Sequence, residues 1–382
     1  MSIQSCEMAI TEPRVANAQP RIAPMGVPLG SHPNGKRILP MVSQSGSILP
    51  TLTQAARVGT GASSAVPPRS VRVSVTDRCD FACTYCRPSR NDGYTDGKLL
   101  TPAWRTMFDG LLQAGVKRVR LTGGEPLIHP QILPIVEHLA AMGVEDLALT
   151  TNASQLARLA GPLRKAGLHR LNISIDTLDP GRFAEMTRGG DLAQVLAGID
   201  AALEVGFRPI KLNTVVLRGV NDGDIEELML WAWSRGMVPR FLEVMAIGEG
   251  AKHQHQLVTA AEMKVRLAEH LAAEEATVEE GKGPARYVRA RRDPALRVGF
   301  ITGASDTYCE SCDRLRVSST GTLRPCLATD DGIEAAEAAQ NGDAAAIVDK
   351  IAQAWTMKPD GKVWKGCTET TAASISIRAI GG

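Results

Sequence analysis

Six short runs rich in β-branched residues alternate with helical patterns between positions 71 and 245, and this alternation limits the fold more than any other feature. The sequence predicts strands over 71–75, 116–121, 147–151, 171–175, 210–217 and 240–245. Helical periodicity falls between them, over 102–114, 130–142, 156–166, 192–205 and 224–235. Strands and helices in strict succession imply a parallel α/β sheet joined by right-handed crossovers. Periodicity leaves two forms open, an open doubly wound sheet and a sheet curled into a barrel.

The chemistry-bearing residues follow the C-terminal ends of these strands. Cys79, Gly123-Gly124-Glu125, Thr150-Thr151-Asn152, Ser174 with Asp176, and Met245 all stand there. Parallel α/β proteins build their sites along that edge. Turn chemistry alone would explain one or two such loops, but five in succession point to a site.

Beyond about Gly248 the alternation breaks. A helix is expected over 260–272, short strands over 287–290, 298–301 and 315–319, and alanine-rich helix over 333–355. The expected organisation is a disordered tail over 1–66, a barrel-like body over 67–300 and a C-terminal extension over 301–382. Residues 1–66 are rich in Pro, Gly, Ser and Ala and keep no hydrophobic period, as disordered segments do. Glu7 and Glu12 argue against an organelle-targeting peptide there.

Composition narrows the partners. The 43 basic and 41 acidic residues leave a formal charge of +2, so no bulk attraction to nucleic acid or an anionic membrane is expected. No run of about 18 apolar residues suggests a transmembrane helix. A cytoplasmic location is the default.

Six of the eight cysteines fall in two triads, and Cys6 and Cys367 stand alone. Clustered cysteines in a long chain without a secretory signal bind metal more often than they form disulfides. Cys79-x3-Cys83-x2-Cys86 follows the first strand directly. Three thiolates on one loop suit three corners of a 4Fe–4S cube, with the fourth iron left open to a small molecule. The amino and carboxylate groups of S-adenosylmethionine suit that iron. Cys309-x2-Cys312-x13-Cys326 repeats the pattern at a different spacing, and spacing alone allows zinc as readily as a second cluster.

The run Ser74-Val75-Thr76-Asp77-Arg78-Cys79-Asp80-Phe81-Ala82-Cys83-Thr84-Tyr85-Cys86 resembles the signature of radical S-adenosylmethionine enzymes. More narrowly, the chain resembles the GTP 3′,8-cyclase family of molybdenum cofactor biosynthesis. The likeness runs through Arg120–Pro126, Leu171–Asp179, Lys211–Val216, Arg240–Met245, Gly283–Arg286, Cys312–Arg316 and Leu323–Cys326, and includes the terminal Gly381-Gly382.

This resemblance implies an incomplete (βα)6 TIM-like barrel whose C-terminal extension carries the second 4Fe–4S cluster. It implies that Gly124, Ser174, Met245 and the backbone around Tyr85 contact S-adenosylmethionine. Arg72, Arg120, Thr151, Lys211, Arg314, Leu315 and Arg316 match GTP-binding positions, with Arg118 and Arg240 as further phosphate contacts. Arginine suits a triphosphate because its fork stays charged and binds oxygens in pairs.

The implied reaction cleaves S-adenosylmethionine to methionine and a 5′-deoxyadenosyl radical, which removes the ribose 3′ hydrogen of GTP. Attack on C8 and reduction then yield (8S)-3′,8-cyclo-7,8-dihydroguanosine 5′-triphosphate and 5′-deoxyadenosine. Arg314 and Arg316 are expected to assist the reduction, and Gly381-Gly382 to reach the active site. A low-potential electron donor and, by pathway, a downstream cyclic pyranopterin monophosphate synthase are the implied partners; monomer and homodimer stay open.

Three positions depart from the family pattern: Asp80 for Asn, Arg87 for Met, and Ala153 for Gly. They keep open a paralogue acting on another nucleotide or a peptide. A non-catalytic zinc or electron-transfer protein is the remaining alternative, but it would not need the Gly-Gly-Glu-Pro loop or the convergent cations.

Overall fold

The computed structural model describes residues 68–273, 277–278, 283–306, 308–309, 312–359 and 373–381. The tail expected over 1–66, Cys6, Cys367 and Gly382 lie outside the described residues.

The six expected βα units form in order. They are β1 (Ser70–Ser74), α1 (Thr101–Gln113), β2 (Arg118–Thr122), α2 (Ile132–Ala141), β3 (Asp146–Thr151), α3 (Leu156–Lys165), β4 (Arg170–Ser174), α4 (Pro180–Thr187), α5 (Leu192–Glu204), β5 (Lys211–Val216), α6 (Ile225–Ser234) and β6 (Val238–Glu243). The short helix α4 was not expected from periodicity. Its start is written locally, because the Asp179 side chain accepts from the Arg182 N–H and Pro180 fixes the first turn.

Strands β1 to β6 pair in parallel and in chain order. A doubly wound sheet reverses its order at a switch point, and this one does not. Crossovers of one hand that step in one direction keep the helices on one face, which is how a sheet curls into a barrel. Side chains alternate between faces along each strand. Val71 and Val73, Val119 and Leu121, Leu147 and Leu149, and Leu171 and Ile173 are buried in the same core as Trp104, Met107, Leu139 and Leu163 of the helices. Their alternates Arg72, Arg120 and Asn172 occupy the intervening positions, as Arg240 does beside buried Phe241 on β6, and Arg72, Arg120 and Arg240 lie on the wall of a large cavity.

Past β6 come α7 (Ala260–Arg266), β7 (Thr277–Val278), β8 (Arg286–Arg289), β9 (Arg297–Ile301), β10 (Arg314–Val317), β11 (Thr322–Arg324), β12 (Ile333–Glu334), α8 (Ala336–Gln340), α9 (Ala344–Thr356) and α10 (Ile377–Ile380). The C-terminal part does more than pack on the sheet. Strand β9 pairs in parallel with β6, and β10 in parallel with β1, so it lengthens both edges. Antiparallel β8 and β7 continue one edge, β11 and β12 the other. Two expected helices are shorter than their patterns. The first stops at Arg266, and the region 333–355 is a short strand and two helices parted at Gly342, whose φ of +76° a helix cannot hold. Helix α9 lies close on α1, where a side chain at Gly110 would meet Ile347 at 2.5 Å.

Candidate active site

The strand ends and the inner face enclose a cavity of about 1510 Å³, its mouth included. Cys79, Cys83 and Cys86 share its wall with Tyr85, Gly124, Ser174, Met245, Arg72, Arg120, Thr151 and Arg240. Eleven residues expected from the sequence therefore meet in one place.

The cysteine loop hangs on α4. Ala82 and Thr84 donate backbone N–H groups to the carbonyls of Thr187 and Met186 at 3.1 and 2.9 Å, and Cys86 donates to the Cys83 carbonyl at 3.0 Å. Burial pushes the Cys79 and Cys83 thiols up and that of Cys86 to about 11. Without a cation the sulfurs therefore hold their protons, and a bound iron centre reverses that preference. Three half-buried thiols at a cavity wall fit a cluster with one open corner.

The Gly-Gly loop supports this arrangement from below. Gly124 donates to the Thr76 carbonyl at 2.7 Å and Glu125 to that of Arg78 at 2.8 Å. A methyl group at Gly124 would fall on the Arg78 carbonyl oxygen, so only glycine permits this approach. Glu125 accepts from Leu127 N at 2.9 Å, Thr151 Oγ1 at 2.7 Å and Asn152 N at 2.7 Å. Burial raises its carboxyl to about 8, against the pull of those donors. Across the cavity, burial raises Asp176 to about 6, while it accepts from Tyr85 OH at 2.7 Å and Val215 N at 2.9 Å. Glu125 and Asp176 stood in the sequence only as loop residues; their burial gives them structural weight that spacing could not show.

Cations line the inner face. Arg72 and Arg120 are register partners on β1 and β2, and no carboxylate pairs with either among the described residues. Burial lowers both, Arg120 to about 9, with neighbouring arginines pushing the same way. Partly desolvated charges at a cavity wall favour an anionic ligand. Arg240 donates to Asn172 Oδ1 at 2.7 Å and Lys211 to Tyr287 OH at 3.2 Å, and Lys211 is not on the large cavity's wall. Arg118 pairs with Asp313 and, with Arg314, lines a smaller pocket that shares Arg72 and Arg120 with the large one. The Leu315 side chain is fully buried in the core.

The second triad sits beside the same space. Cys309 and Cys326 pack with Met245, Leu327 and Ile380, and Tyr308 lines the cavity. Burial opposes ionisation of Cys312, but Arg314, donating to its sulfur at 3.2 and 3.3 Å, holds the thiol down to about 7. Ala328 N donates to the Cys326 sulfur at 3.4 Å. The C-terminal tail enters here: Arg316 donates to the carbonyls of Ile380, at 3.1 Å, and Gly381.

The three departures are locally supported. Asp80 accepts from Asn152 Nδ2 at 2.7 Å and from the Ser154 hydroxyl. Ala153 has a φ of +64°, which costs a residue with a side chain about 1 kcal/mol and explains why glycine suits the position. Arg87 is buried and paired with Asp92.

Residues 73–232 match the family model described as the Radical SAM superfamily, and residues 237–364 the one described as Molybdenum Cofactor Synthesis C. The GTP 3′,8-cyclase of Pseudomonas entomophila is 41% identical over 295 residues, covering 76% of this chain and 88% of the relative. The chain belongs to the GTP 3′,8-cyclase family. GTP 3′,8-cyclase 1 of Pseudomonas aeruginosa is 43% identical over 267 residues, with 69% and 81% covered. Among solved structures, Streptococcus suis SuiB bound to its precursor peptide SuiA superposes with a TM-score of 0.54 at 16% identity, covering 81% of this chain and 71% of that one. That likeness concerns the fold alone; the radical S-adenosylmethionine assignment rests on the family model. The cofactors of this family member are S-adenosylmethionine and two 4Fe–4S clusters. No helix among the described residues is long and apolar enough to cross a membrane.

Proposed function

We propose that this chain converts GTP to (8S)-3′,8-cyclo-7,8-dihydroguanosine 5′-triphosphate, with 5′-deoxyadenosine and methionine as co-products, as the first step of molybdenum cofactor biosynthesis. One observation carries the reading: Arg72 and Arg120, half-buried and without a carboxylate partner among the described residues, share a cavity with Cys79, Cys83 and Cys86. An anionic substrate and the radical-generating centre would thus occupy one enclosed space.

When bound, the first cluster and S-adenosylmethionine supply a hydrogen-abstracting radical on one-electron reduction. The chain's own residues orient the reactants. Gly124, Ser174, Met245 and the backbone near Tyr85 would hold S-adenosylmethionine. Arg72, Arg120, Arg240, Thr151 and Lys211 would hold GTP, with the phosphates toward the arginines. Cys309, Cys312 and Cys326 would hold the second cluster next to guanine. Arg314 and Arg316 would sit between that cluster and the triphosphate, with Arg118 farther out, and Leu315 could contribute only backbone. Gly381 and Gly382 would close the site from the tail. The reading extends to a cytoplasmic location, a low-potential electron donor and a downstream cyclic pyranopterin monophosphate synthase.

The test is anaerobic reconstitution followed by turnover with S-adenosylmethionine and reductant. GTP should accelerate 5′-deoxyadenosine formation and yield the cyclised triphosphate by mass spectrometry. If GTP leaves the rate unchanged, the assignment fails.

A further inference from the structure

Arg378 enters the body of the protein from the C-terminal tail and is 8% exposed. Its guanidinium pairs with Asp92 at 3.0 Å, donates to the Gly93 carbonyl at 2.7 Å and lies 5.1 Å from the centre of the Tyr94 ring. The same Asp92 accepts from Arg87 Nε at 2.9 Å. Arg87 directly follows Cys86 on the cysteine loop, and Arg378 stands three residues before Gly381. One carboxylate therefore joins the loop of the first triad to the tail that meets Arg316 near the second.

We infer that Asp92, bridging Arg87 and Arg378, is a positioning residue that seats the C-terminal tail in the active site and registers it against the first cysteine loop. This rests on the GTP cyclase reading for its effect on turnover, but not for its structural part. The other tail contacts support the assignment. Ala373 accepts from Gly248 N at 2.9 Å, and Asp330 accepts from Ser374 N and Ile375 N at 2.9 and 3.0 Å, all on the outer half of the tail. Those anchors leave 376–381 to be held from within. Ser74 Oγ donates to the Arg378 carbonyl at 3.1 Å, and the guanidinium carries the charged contacts. Because both arginines are buried, their carboxylate partner is worth more than an exposed ion pair.

The relation also accounts for Arg87 where the family has Met. A methionine there could not pair with Asp92, so this chain has a charged link that the family pattern lacks. The expected consequence is coupling. With the tail loosened, the radical still forms on the first side of the cavity, but fewer events reach cyclised product.

The experiment combines two readouts on reconstituted holoenzyme. Hydrogen exchange over 373–381 should accelerate at least about tenfold in Asp92→Asn and in Arg378→Gln, with β1–β6 unchanged, since loss of a charged hydrogen bond opens the segment it held. The ratio of 5′-deoxyadenosine to cyclised nucleotide should rise in both, with KM for S-adenosylmethionine held. Arg87→Met, which restores the residue of the family pattern, should give a smaller change of the same sign. Unchanged exchange over 373–381 in both Asp92→Asn and Arg378→Gln overturns the inference, as does a loosened tail with the wild-type product ratio. Faster tail exchange in an enzyme that shows no GTP-dependent deoxyadenosine formation supports the clamp and overturns the GTP reading instead.

Discussion

The Thr151 hydroxyl donates to Glu125 Oε1 at 2.7 Å and accepts from Ala153 N at 2.9 Å. One oxygen thus ties the end of β3 to the Gly-Gly loop and satisfies the backbone of a residue in the left-handed region. Thr151→Val removes both bonds inside a buried site and should lower stability by about 1–3 kcal/mol. Thr151→Ser retains the hydroxyl and should stay within about 1 kcal/mol of wild type. Chemical denaturation of the two variants checks this; equal stability of the valine variant would show the hydroxyl to have no structural role.

Asp176 gives the protein a definable pH dependence. Burial raises its folded-state carboxyl to about 6 from the usual 3.8, so between those values the native chain holds a proton that the unfolded chain has lost. Stability from this group is full below about pH 4 and declines as pH rises to about 6, by up to about 3 kcal/mol. Asp176→Asn lacks the titration. The unfolding free energy of wild type minus that of the asparagine variant should therefore fall across pH 4–6, and a difference independent of pH would refute the assignment.

Strand order and cavity were legible for different reasons. Short β-branched runs around Val71, Val119, Leu147 and Leu171 located the strands; periodicity left barrel and doubly wound sheet open, the family resemblance implied the barrel, and pairing in unbroken chain order agrees with it. The first triad could be read because its three ligands lie within eight positions. Asp92 and Arg378 could not, because their 3.0 Å contact joins residues 286 positions apart and neither carries a local pattern. Arg118 shows what sequence could not give: expected as a further phosphate contact, it stands at the N-terminal end of β2 and pairs with Asp313.

The two cysteine triads should separate in iron content. Cys79→Ala and Cys309→Ala should each reduce reconstituted iron from about eight to about four per chain, since each removes one ligand of a different 4Fe–4S cluster. Cys79→Ala should also abolish 5′-deoxyadenosine formation, whereas Cys309→Ala should retain part of it and lose the cyclised product. Iron and sulfide analysis with product quantification checks this. Full iron content in either variant, or cyclised product from Cys309→Ala, contradicts the division.

Gly381 is confined twice, by a φ of +79° and by Thr122, whose methyl group occupies the place a side chain would take. Gly381→Ala should therefore displace the tail and reduce cyclisation. Adding Thr122→Ser removes that methyl but leaves the backbone cost of about 1 kcal/mol. Rescue by the double variant should be partial when kcat is compared across the set. Full activity of Gly381→Ala alone would contradict the confinement.

Arg120 should show opposite effects on stability and binding. Its guanidinium stands half-buried beside Arg72 with no carboxylate partner among the described residues, and desolvation followed by repulsion from Arg240 and Arg170 lowers it to about 9. In the ligand-free chain this charge opposes folding. Arg120→Met keeps much of the apolar stem and removes a partly desolvated charge, so stability should rise. A bound triphosphate reverses the balance, because its oxygens supply the partners that the fold withholds. Affinity for GTP should fall by about 100-fold in the same variant, in the range found when one member of a buried charge pair is removed. Urea unfolding and anaerobic equilibrium binding measure the two effects. A variant both less stable and unaltered in GTP affinity would mean that Arg120 serves the fold, not the ligand.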